Sequence, residues 1–331
     1  MKIYTDQDAS LEPLDGQTVA ILGYGNQGSA QARNLRDSGA NVVIGNRDDS
    51  YAEQARADGF ETVSIADAAR AADYALVLTT DESQPLIWEE QIAPGIEAGN
   101  TLVWASGYNV AYDLIKPATD VDVVLVAPRT TGSMVRQLFE HGKGAMAQIS
   151  VHADASGKAW DRMMAIAMGI GATKGGVFES SFREEAELDL FAEQVVWAGF
   201  VAWIRECFDL GVEQGFSPEL LVLELYASQE ASEIFGLMAQ HGFFKQMAHH
   251  STTSQYGTLS RAPLVLNDEV RARMRNSLVN DIKGGGFARE WSSEQAGGSK
   301  DLAKLKEAAF ASAMAKAEEK VIELVQQAHS V

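Results

Sequence analysis

One stretch near the start of the chain, TVAILGYGNQGSAQARNL, constrains the fold more than any other. Its apolar, β-branched run from Thr18 to Leu22 is typical of a buried parallel strand. Glycines with G-x-G-x-x-G spacing follow, and a helix-forming stretch starts at Ser29. A strand, a glycine turn and a helix N-terminus in this order can bind a pyrophosphate through backbone N–H groups. A purely structural glycine turn is the alternative. The predicted cofactor contacts in this turn are Gly23, Tyr24, Gly25, Asn26, Gln27 and Gly28.

The second predicted strand, 41–45, ends in the polar sequence NRDDS. In a sheet of this kind, the end of that strand usually meets the adenosine ribose of the cofactor. An acidic side chain accepts a hydrogen bond from a free 2′-hydroxyl and repels a 2′-phosphate, whereas Arg47 would bind that phosphate or stack on the adenine. Because Asp48 and Asp49 are adjacent, we expect NADH to be favoured over NADPH. Ser50 completes the predicted contacts.

Strand-like and helical stretches alternate up to about residue 168, which predicts a doubly wound parallel sheet after an irregular lead-in over 1–15. The further strands are predicted at 74–78, 101–104, 121–126 and 147–151, and a helix at 155–168. Ligands of such sheets bind at the carboxyl ends of the strands. We therefore expect Thr79, Asp81, Ser106 and Arg129 in the site. The alternative for Arg129 is a solvated surface arginine.

From residue 182 the strand pattern gives way to helices. A helix predicted from Glu184 to Cys207 is apolar almost all round from Leu190 onward, which is typical of a buried helix. Asp189 and Glu193 are four residues apart and so share one face. Mg²⁺ is commonly held by one or two carboxylates and substrate oxygens, so this pair predicts a Mg²⁺ site. The alternative is an acidic helix start that favours the positive end of the helix dipole.

The rest of the chain is predicted to be helical apart from one polar loop at 249–257. In a helix pair at 218–240, Tyr226 and Glu230 repeat the four-residue spacing. Two more helices are predicted at 267–282 and 300–327. We do not expect a zinc site at His249 and His250, because adjacent loop residues rarely point the same way and no second nitrogen cluster is present.

Composition narrows the class of protein. The 331 residues suggest two domains, and a net charge of -19 argues against nucleic acid and anionic membranes as partners. The chain has no signal-peptide core at its start and no uncharged stretch long enough to span a bilayer. Its single cysteine, Cys207, fits a reducing cytoplasm, and its apolar helix predicts a buried, inert thiol.

Six stretches together resemble one family, the ketol-acid reductoisomerases in their shorter, class I bacterial form. They are VAILGYGNQGSAQARNL, LTTDE at 78–82, DVVLVAPRTTG at 122–132, ESSFREEAELDLFAEQ at 179–194, SQYG at 254–257 and RARMRN at 271–276. The resemblance implies a Rossmann domain over 1–181, an all-α knotted domain over 182–331, and a homodimer or larger assembly with shared active sites. It also implies a Mg²⁺-assisted alkyl migration in an acetohydroxy acid followed by hydride reduction with NAD(P)H, within branched-chain amino acid synthesis.

The resemblance also assigns roles to individual residues. Two acidic metal ligands of the family match Asp189 and Glu193, and two further acids, from the partner subunit, fall at Tyr226 and Glu230. A serine that touches substrate in the family matches Ser251. At two other family positions the residue differs: the active-site histidine is Ser106 here, in ASGYN, and the lysine after A-P is Arg129. With tyrosine at 226, three active-site positions have changed together.

These changes bear unequally on the two steps of the family reaction. Alkyl migration needs charge control over two adjacent oxygens, which two metal ions provide. Hydride transfer needs a bound nicotinamide, an oriented acceptor and one electrophile or acid. Arg129 would pin a carboxylate bidentately, and Tyr226 would serve as an acid or a packing wall. We therefore expect at most one Mg²⁺ and a diverged reductase with a weak or lost isomerase step and a different small-molecule substrate.

Two alternatives stay open at this stage. The chain would be an ordinary ketol-acid reductoisomerase if its site tolerates the three substitutions. It would be a dinucleotide-binding protein without turnover if the changed site no longer reduces anything. Loss of function by drift is the less favoured explanation, because the glycine turn and the carboxylates are retained.

Overall fold

A computed structural model describes residues 1–329 of the chain and divides it into two compact units. The first is Met1–Asp189, and the second starts at Leu190. The first unit is an α/β domain with helices on both faces of one sheet, and the second is helical, as predicted. The predicted domain boundary at 181/182 stays a prediction, since the first turns of the following helix pack with the α/β unit.

Nine strands form the sheet of the first unit. They are β1 (Ile3–Tyr4), β2 (Thr18–Leu22), β3 (Asn41–Gly45), β4 (Glu61–Val63), β5 (Tyr74–Val77), β6 (Thr101–Trp104), β7 (Asp122–Pro128), β8 (Ala147–Ala153) and β9 (Val177–Glu179). Their order is β1-β9-β8-β7-β6-β5-β2-β3-β4. The chain therefore builds outward on both sides of β2. The crevice between β2 and β5 is the topological switch point at which such sheets bind ligands.

The predicted doubly wound, mainly parallel sheet is confirmed, with antiparallel pairing at two places. β1 pairs with β9 in antiparallel fashion within the predicted irregular lead-in, and β8 runs antiparallel to β7. Ala147 at the start of β8 pairs with Pro128 at the end of β7. The connection between these strands therefore returns to the end of the sheet at which β7 finishes. The other pairs are parallel and run in register from β4 through to β7.

Helices cover both faces of this sheet because successive residues of its strands point to opposite sides. Val19 and Ile21 of β2 pack into one buried apolar cluster, and Ala20 and Leu22 into the other. The helices of the first unit are α1 (Asn26–Asp37), α2 (Ser50–Ala57), α3 (Ile65–Ala71), α4 (Gln84–Ile87), α5 (Tyr108–Ala111), α6 (Gly132–Glu140), α7 (Ala159–Gly169), α8 (Ala172–Gly175) and α9 (Phe182–Phe191).

The second unit continues directly from α9 through a π-helical segment, Ala192–Trp197. Its α-helices are α10 (Ala198–Glu213), α11 (Pro218–Val222), α12 (Glu230–His241), α13 (Thr252–Val265), α14 (Asp268–Asn276), α15 (Gly286–Ala296), α16 (Lys300–Phe310) and α17 (Ala313–His329). π-helical segments also follow α11 at Leu223–Ala227 and α14 at Ser277–Lys283. A small core of Phe208, Val222, Ala317 and Val321 ties α10, α11 and α17 together.

Three expectations for the second unit are wrong. The segment predicted as a polar loop at 249–257 forms the start of α13, because the Ser251 side chain caps that helix. The predicted terminal helix is broken between α16 and α17. The helix predicted to be buried exposes Trp197, Val201 and Trp203 by about half or more, and its Cys207 is exposed as well.

Within the described residues, every helix is too short or too polar to cross a bilayer.

Candidate active site

The glycine turn after β2 has the geometry of a phosphate cradle. Gly23 has a φ of +105°, and a Cβ placed there would lie 2.8 Å from the backbone nitrogen of Thr79. A Cβ on Gly28 would lie 1.9 Å from the Gly23 carbonyl oxygen, so both positions require glycine for packing. A Cβ on Gly25 would instead meet nothing within 4 Å. The start of α1 therefore faces open space, which fits a pyrophosphate at the helix N-terminus.

Neighbouring loops hold this turn in place. The Gln27 side chain donates a hydrogen bond of 2.9 Å to the Thr130 carbonyl oxygen, which links the turn to the end of β7. The Tyr24 ring is buried, and its hydroxyl donates to Asp58 at 2.6 Å. Burial, and then this bond, raise the pKa of Tyr24 above its usual value. The Tyr24 side chain thus belongs to the core, and its backbone N–H donates to the Asn46 side-chain oxygen at 3.0 Å. The cofactor contact expected of Tyr24 stays a prediction.

The two adjacent carboxylates after β3 have different surroundings. Asp49 caps α2, accepts bonds from the backbone N–H groups of Tyr51 and Ala52, and pairs with Arg47 at 2.6 Å. The bond from Arg47 is the largest influence that lowers the pKa of Asp49. Asp48 is 87% exposed and contacts Arg56 at 3.1 Å, and Ser50 is exposed. Asp48 is therefore the more exposed of the two carboxylates, while Arg47 pairs with Asp49.

Polar groups gather where β5 and β6 end. The Ser106 hydroxyl lies 3.4 Å from an oxygen of Asp81, and the Asn109 amide donates to the Asp81 carbonyl oxygen at 3.0 Å. The Thr79 hydroxyl oxygen and the Tyr108 hydroxyl oxygen are buried and have no hydrogen-bond partner among the described residues. Buried polar atoms rarely stay unpaired, so these atoms fit a bound polar ligand such as a nicotinamide.

Arg129, directly after β7, is the cation at the centre of the site. Its Nη1 donates to Oε1 of Glu185 at 2.6 Å, and its Nη2 donates to Oδ1 of Asp189. The other oxygen of Glu185 accepts from the Gly107 N–H at 2.6 Å. The two carboxylates are one turn apart on α9, so one planar guanidinium reaches both. Arg129 is therefore not a solvated surface arginine, which was the alternative to its predicted place in the site.

Sequence reasoning missed Glu185. Its side chain is only 2% exposed, and burial raises its pKa to about 7 against the opposing effects of Gly107 and Arg129. The signal was present in the sequence, because Glu185 precedes Asp189 by the same four residues that separate Asp189 from Glu193. The network from Asp81 and Ser106 through Gly107 to Glu185, Arg129 and Asp189 lies wholly within the first unit.

The remaining predicted site residues lie in the second unit. Glu193 is in the π-helical segment after α9, Glu230 is the exposed first residue of α12, and Ser251 accepts from the Ser254 N–H as it caps α13. The Tyr226 hydroxyl donates to Glu318, and burial, followed by this bond, raises the pKa of Tyr226. Tyr226 also packs on the small core of this unit. Its hydroxyl is thus committed to α17.

The residues present do not fit a Mg²⁺ ion at Asp189. A hard cation needs anionic oxygen ligands, and an arginine that cannot lose its proton already binds this carboxylate. Among residues 1–329, no group of three or more His, Cys, Asp or Glu side chains is arranged to hold a metal. The Mg²⁺ roles expected of Glu193 and Glu230 stay predictions.

A doubly wound sheet with a glycine turn at its switch point and unpaired polar groups at the neighbouring strand ends defines a Rossmann-type oxidoreductase that uses NAD(P). Two family models identify the family to which this oxidoreductase belongs. Residues 13–176 match the acetohydroxy acid isomeroreductase NADPH-binding domain, and residues 182–327 match the ketol-acid reductoisomerase C-terminal domain. The chain therefore belongs to the ketol-acid reductoisomerase family.

Individual relatives are similar to this chain over nearly its whole length. A Saccharolobus solfataricus protein with a provisional name in this family is 47% identical over 97% of both chains. The ketol-acid reductoisomerase (NADP(+)) of Pyrobaculum islandicum is 44% identical over 93% of both. Among solved structures, an NADH-preferring ketol-acid reductoisomerase from an uncultured archean superposes with a TM-score of 0.93 at 34% identity, covering 98% of this chain and 99% of the other.

Proposed function

We propose that this chain is an NAD(P)H-dependent reductase in which the alkyl migration of its family is weak or lost, and that it acts on a small carbonyl compound other than the usual acetohydroxy acids. The observation that carries this proposal is the pairing of Arg129 with Glu185 and Asp189. One of the carboxylates that the resemblance assigns to a metal is thereby bound to a protein cation. Migration depends on paired Lewis acids, so it suffers first.

Two further substitutions support the same conclusion. Ser106 lies at the position where the resemblance implies a histidine. The Ser106 hydroxyl donates to an oxygen of the Asp81 carboxylate at 3.4 Å. Tyr226 stands where the family has a carboxylate, and its hydroxyl is bonded to Glu318. Neither side chain supplies the negative charge or the basic nitrogen that it replaces. Each change removes a group from the rearrangement step and leaves the glycine turn untouched.

Hydride reduction requires fewer functional groups of the protein than alkyl migration does. The cofactor, when bound, supplies the hydride. The glycine turn binds its pyrophosphate, and the buried hydroxyls of Thr79 and Tyr108 are placed for its nicotinamide end. Arg129 uses two of its five N–H donors on carboxylates, so three are left for a substrate oxygen.

We propose NADH as the preferred cofactor, with Asp48 accepting from the ribose hydroxyl. Its exposed carboxylate would repel a 2′-phosphate, and Asp49 holds the arginine that would otherwise bind it. NADPH is the competing choice, because the Pyrobaculum relative is named for NADP(+) and the matched domain for NADPH. Michaelis constants for the two reduced cofactors decide between them, and a strong preference for NADPH rejects the NADH proposal.

We also propose that the protein is a cytoplasmic homodimer or larger assembly, with a knotted helical domain that completes the active site of a second subunit. The support lies in the exposed apolar side chains of α10 and its neighbours, Trp197, Val201 and Trp203. Exposed apolar surface of this extent marks an interaction site. The single cysteine fits a reducing compartment. Sedimentation equilibrium tests the assembly, and a stable monomer at micromolar concentration would contradict it.

The direct test of function compares two substrates. 2-Acetolactate requires both migration and reduction, whereas 3-hydroxy-3-methyl-2-oxobutyrate requires reduction alone. We expect cofactor oxidation with the second and little or none with the first, with Mg²⁺ present in both assays. If neither compound is reduced while the cofactor binds, either the substrate is another small carbonyl compound or the protein binds the dinucleotide without turnover.

An ordinary ketol-acid reductoisomerase is the second candidate. It is favoured by the match over both domains and by 44% identity to a relative that carries that name without qualification. Conversion of 2-acetolactate to the dihydroxy acid at a rate comparable to reduction of the keto acid would establish this candidate in place of the diverged reductase.

A further inference from the structure

The arginine at the end of β7 neutralises carboxylates that would otherwise attract a metal ion. Arg129 contacts Glu185 and Asp189 through different nitrogens, and its own side chain is only 34% exposed. The backbone N–H of Arg129 is fixed on the Met146 carbonyl oxygen at 2.8 Å, so the strand end aims the side chain at α9. Arg129 is therefore held both by its backbone N–H and by its guanidinium.

We propose that the Arg129 guanidinium takes the place of a divalent cation at Asp189, and that reduction at this site proceeds without Mg²⁺. A guanidinium carries one positive charge that it does not lose. A divalent ion on Asp189 would come to rest beside this fixed cation, or would have to break the ion pair. Either outcome weakens the ion's binding.

The difference between arginine and lysine explains why this substitution matters. The resemblance places a lysine at this position in the family. An ammonium is a compact point charge on a flexible stem, whereas the planar fork of arginine binds two carboxylates at once. Arg129 spans Glu185 and Asp189, and a lysine that contacts Glu185 leaves Asp189 open to a metal.

The chemistry of reduction is compatible with a protein cation. The reacting carbonyl takes up a hydride at carbon, the electron pair of the C–O π bond moves to oxygen, and that oxygen takes a proton from solvent. Negative charge develops on one oxygen only, and hydrogen-bond donors can stabilise it. The three remaining N–H donors of Arg129 supply this role. This turnover claim rests on the proposed function, whereas the claim about metal binding does not.

Binding of Mn²⁺ to the full-length protein, followed by electron paramagnetic resonance of the free ion, tests the metal claim without turnover. We expect Arg129→Lys to bind one Mn²⁺ at least about tenfold more tightly than the wild type, since the ion no longer competes with a charge-assisted hydrogen bond. Adding Asp189→Asn to Arg129→Lys should remove the gain. Arg136→Lys is the matched control, because Arg136 also pairs with two carboxylates, Asp37 and Glu140, on another face of the same unit.

Two results overturn the proposal. One is wild-type protein that binds Mn²⁺ as tightly as Arg129→Lys, and the other is an Arg129→Lys variant that gains no site. For turnover, we expect oxidation of reduced cofactor by 3-hydroxy-3-methyl-2-oxobutyrate to change by less than about twofold when EDTA replaces Mg²⁺, and a loss of activity with EDTA contradicts metal-independent reduction. If no keto acid is reduced under any condition, the proposed function fails while the Mn²⁺ result still decides the role of Arg129.

Discussion

The glycine turn after β2 and the polar network after β6 and β7 line the same edge of one sheet, yet they differ in how far they follow the family pattern. The turn is proposed to bind its ligand with backbone N–H groups, and a Cβ added to Gly23 or Gly28 would lie 3 Å or less from neighbouring backbone. The network uses the side chains of Ser106 and Arg129, at two positions where the resemblance implies a histidine and a lysine in the family. A backbone site admits few changes, whereas a side-chain site can acquire a new charge arrangement by single substitutions.

This contrast separates binding of the cofactor from control of the substrate's charge. The cofactor turn is joined to the end of β7 by the bond from Gln27 to the Thr130 carbonyl oxygen, whereas the Arg129 side chain bonds to carboxylates of α9. Changes at Arg129 should therefore alter metal binding and reaction course while the affinity for cofactor stays nearly constant. The following variants test this independence, from the largest expected effect to the smallest.

Arg129→Met should destabilise the first unit by about 3 kcal/mol, because it leaves the Glu185 carboxylate buried without its counter-charge. The pKa of Glu185 is already raised to about 7, above its unfolded value, so the folded variant favours the protonated acid. The loss of stability should therefore be larger at about pH 8 than at about pH 5. Denaturant unfolding at the two pH values measures it. Adding Glu185→Gln should recover part of the loss, and a variant as stable as the wild type at both pH values would contradict the role of this pair.

Gly25→Ala should weaken NADH binding by about a hundredfold and leave stability unchanged. The added methyl meets open space in the free protein but stands where the pyrophosphate approaches the backbone, so about two charge-assisted hydrogen bonds are lost. Fluorescence titration with NADH and a thermal melt give the two readouts. Gly236→Ala on α12 is the control, since its methyl also meets nothing within 4 Å. Equal affinities in the two variants would remove the assignment of the turn to the cofactor.

The double variant Ser106→His with Arg129→Lys restores two of the family residues and should raise turnover of 2-acetolactate in the presence of Mg²⁺ by about tenfold, as a positioned proton-transfer group and a metal ligand return. Reduction of 3-hydroxy-3-methyl-2-oxobutyrate should change much less. Steady-state assays on both substrates measure the split. An equal change in both rates would mean that these positions do not separate migration from reduction.

Asp48→Asn should lower the Michaelis constant for NADPH by about fivefold, because an exposed carboxylate next to a 2′-phosphate costs about 1 kcal/mol. The constant for NADH should rise slightly. Glu53→Gln, an exposed acid on α2, removes the same charge at a distance from the predicted ribose contact and should leave both constants unchanged. A similar gain in the two variants would point to net charge rather than to the position of Asp48.

The sequence predicted the elements whose signals are local. β2 and β3 begin and end at the residues expected from their β-branched runs, and the glycine turn between β2 and α1 lies where its spacing placed it. β8 was found, but its antiparallel direction was not, because direction depends on where the preceding connection returns to the sheet. Strand patterns contain no information on that return.

The site was predicted less completely because its contacts join distant segments. Arg129 was expected to act as a cation, but its partners come from α9, more than fifty residues further along the chain. Whether an arginine meets a substrate or a carboxylate of its own chain is a matter of packing. The same holds for Tyr226, whose partner Glu318 lies in α17, and for α10, whose apolar residues predicted a buried helix but are largely exposed in this chain.

The most direct measurement compares kcat/KM for 2-acetolactate and for 3-hydroxy-3-methyl-2-oxobutyrate with saturating NADH and Mg²⁺. A protein in which Arg129 has replaced a metal-binding function should reduce the keto acid at least about a hundredfold more efficiently than it converts the acetohydroxy acid, a difference of about 2.7 kcal/mol in transition-state stabilisation. Comparable efficiency for the two compounds would show that migration is intact and that the altered side chains still support the full family reaction.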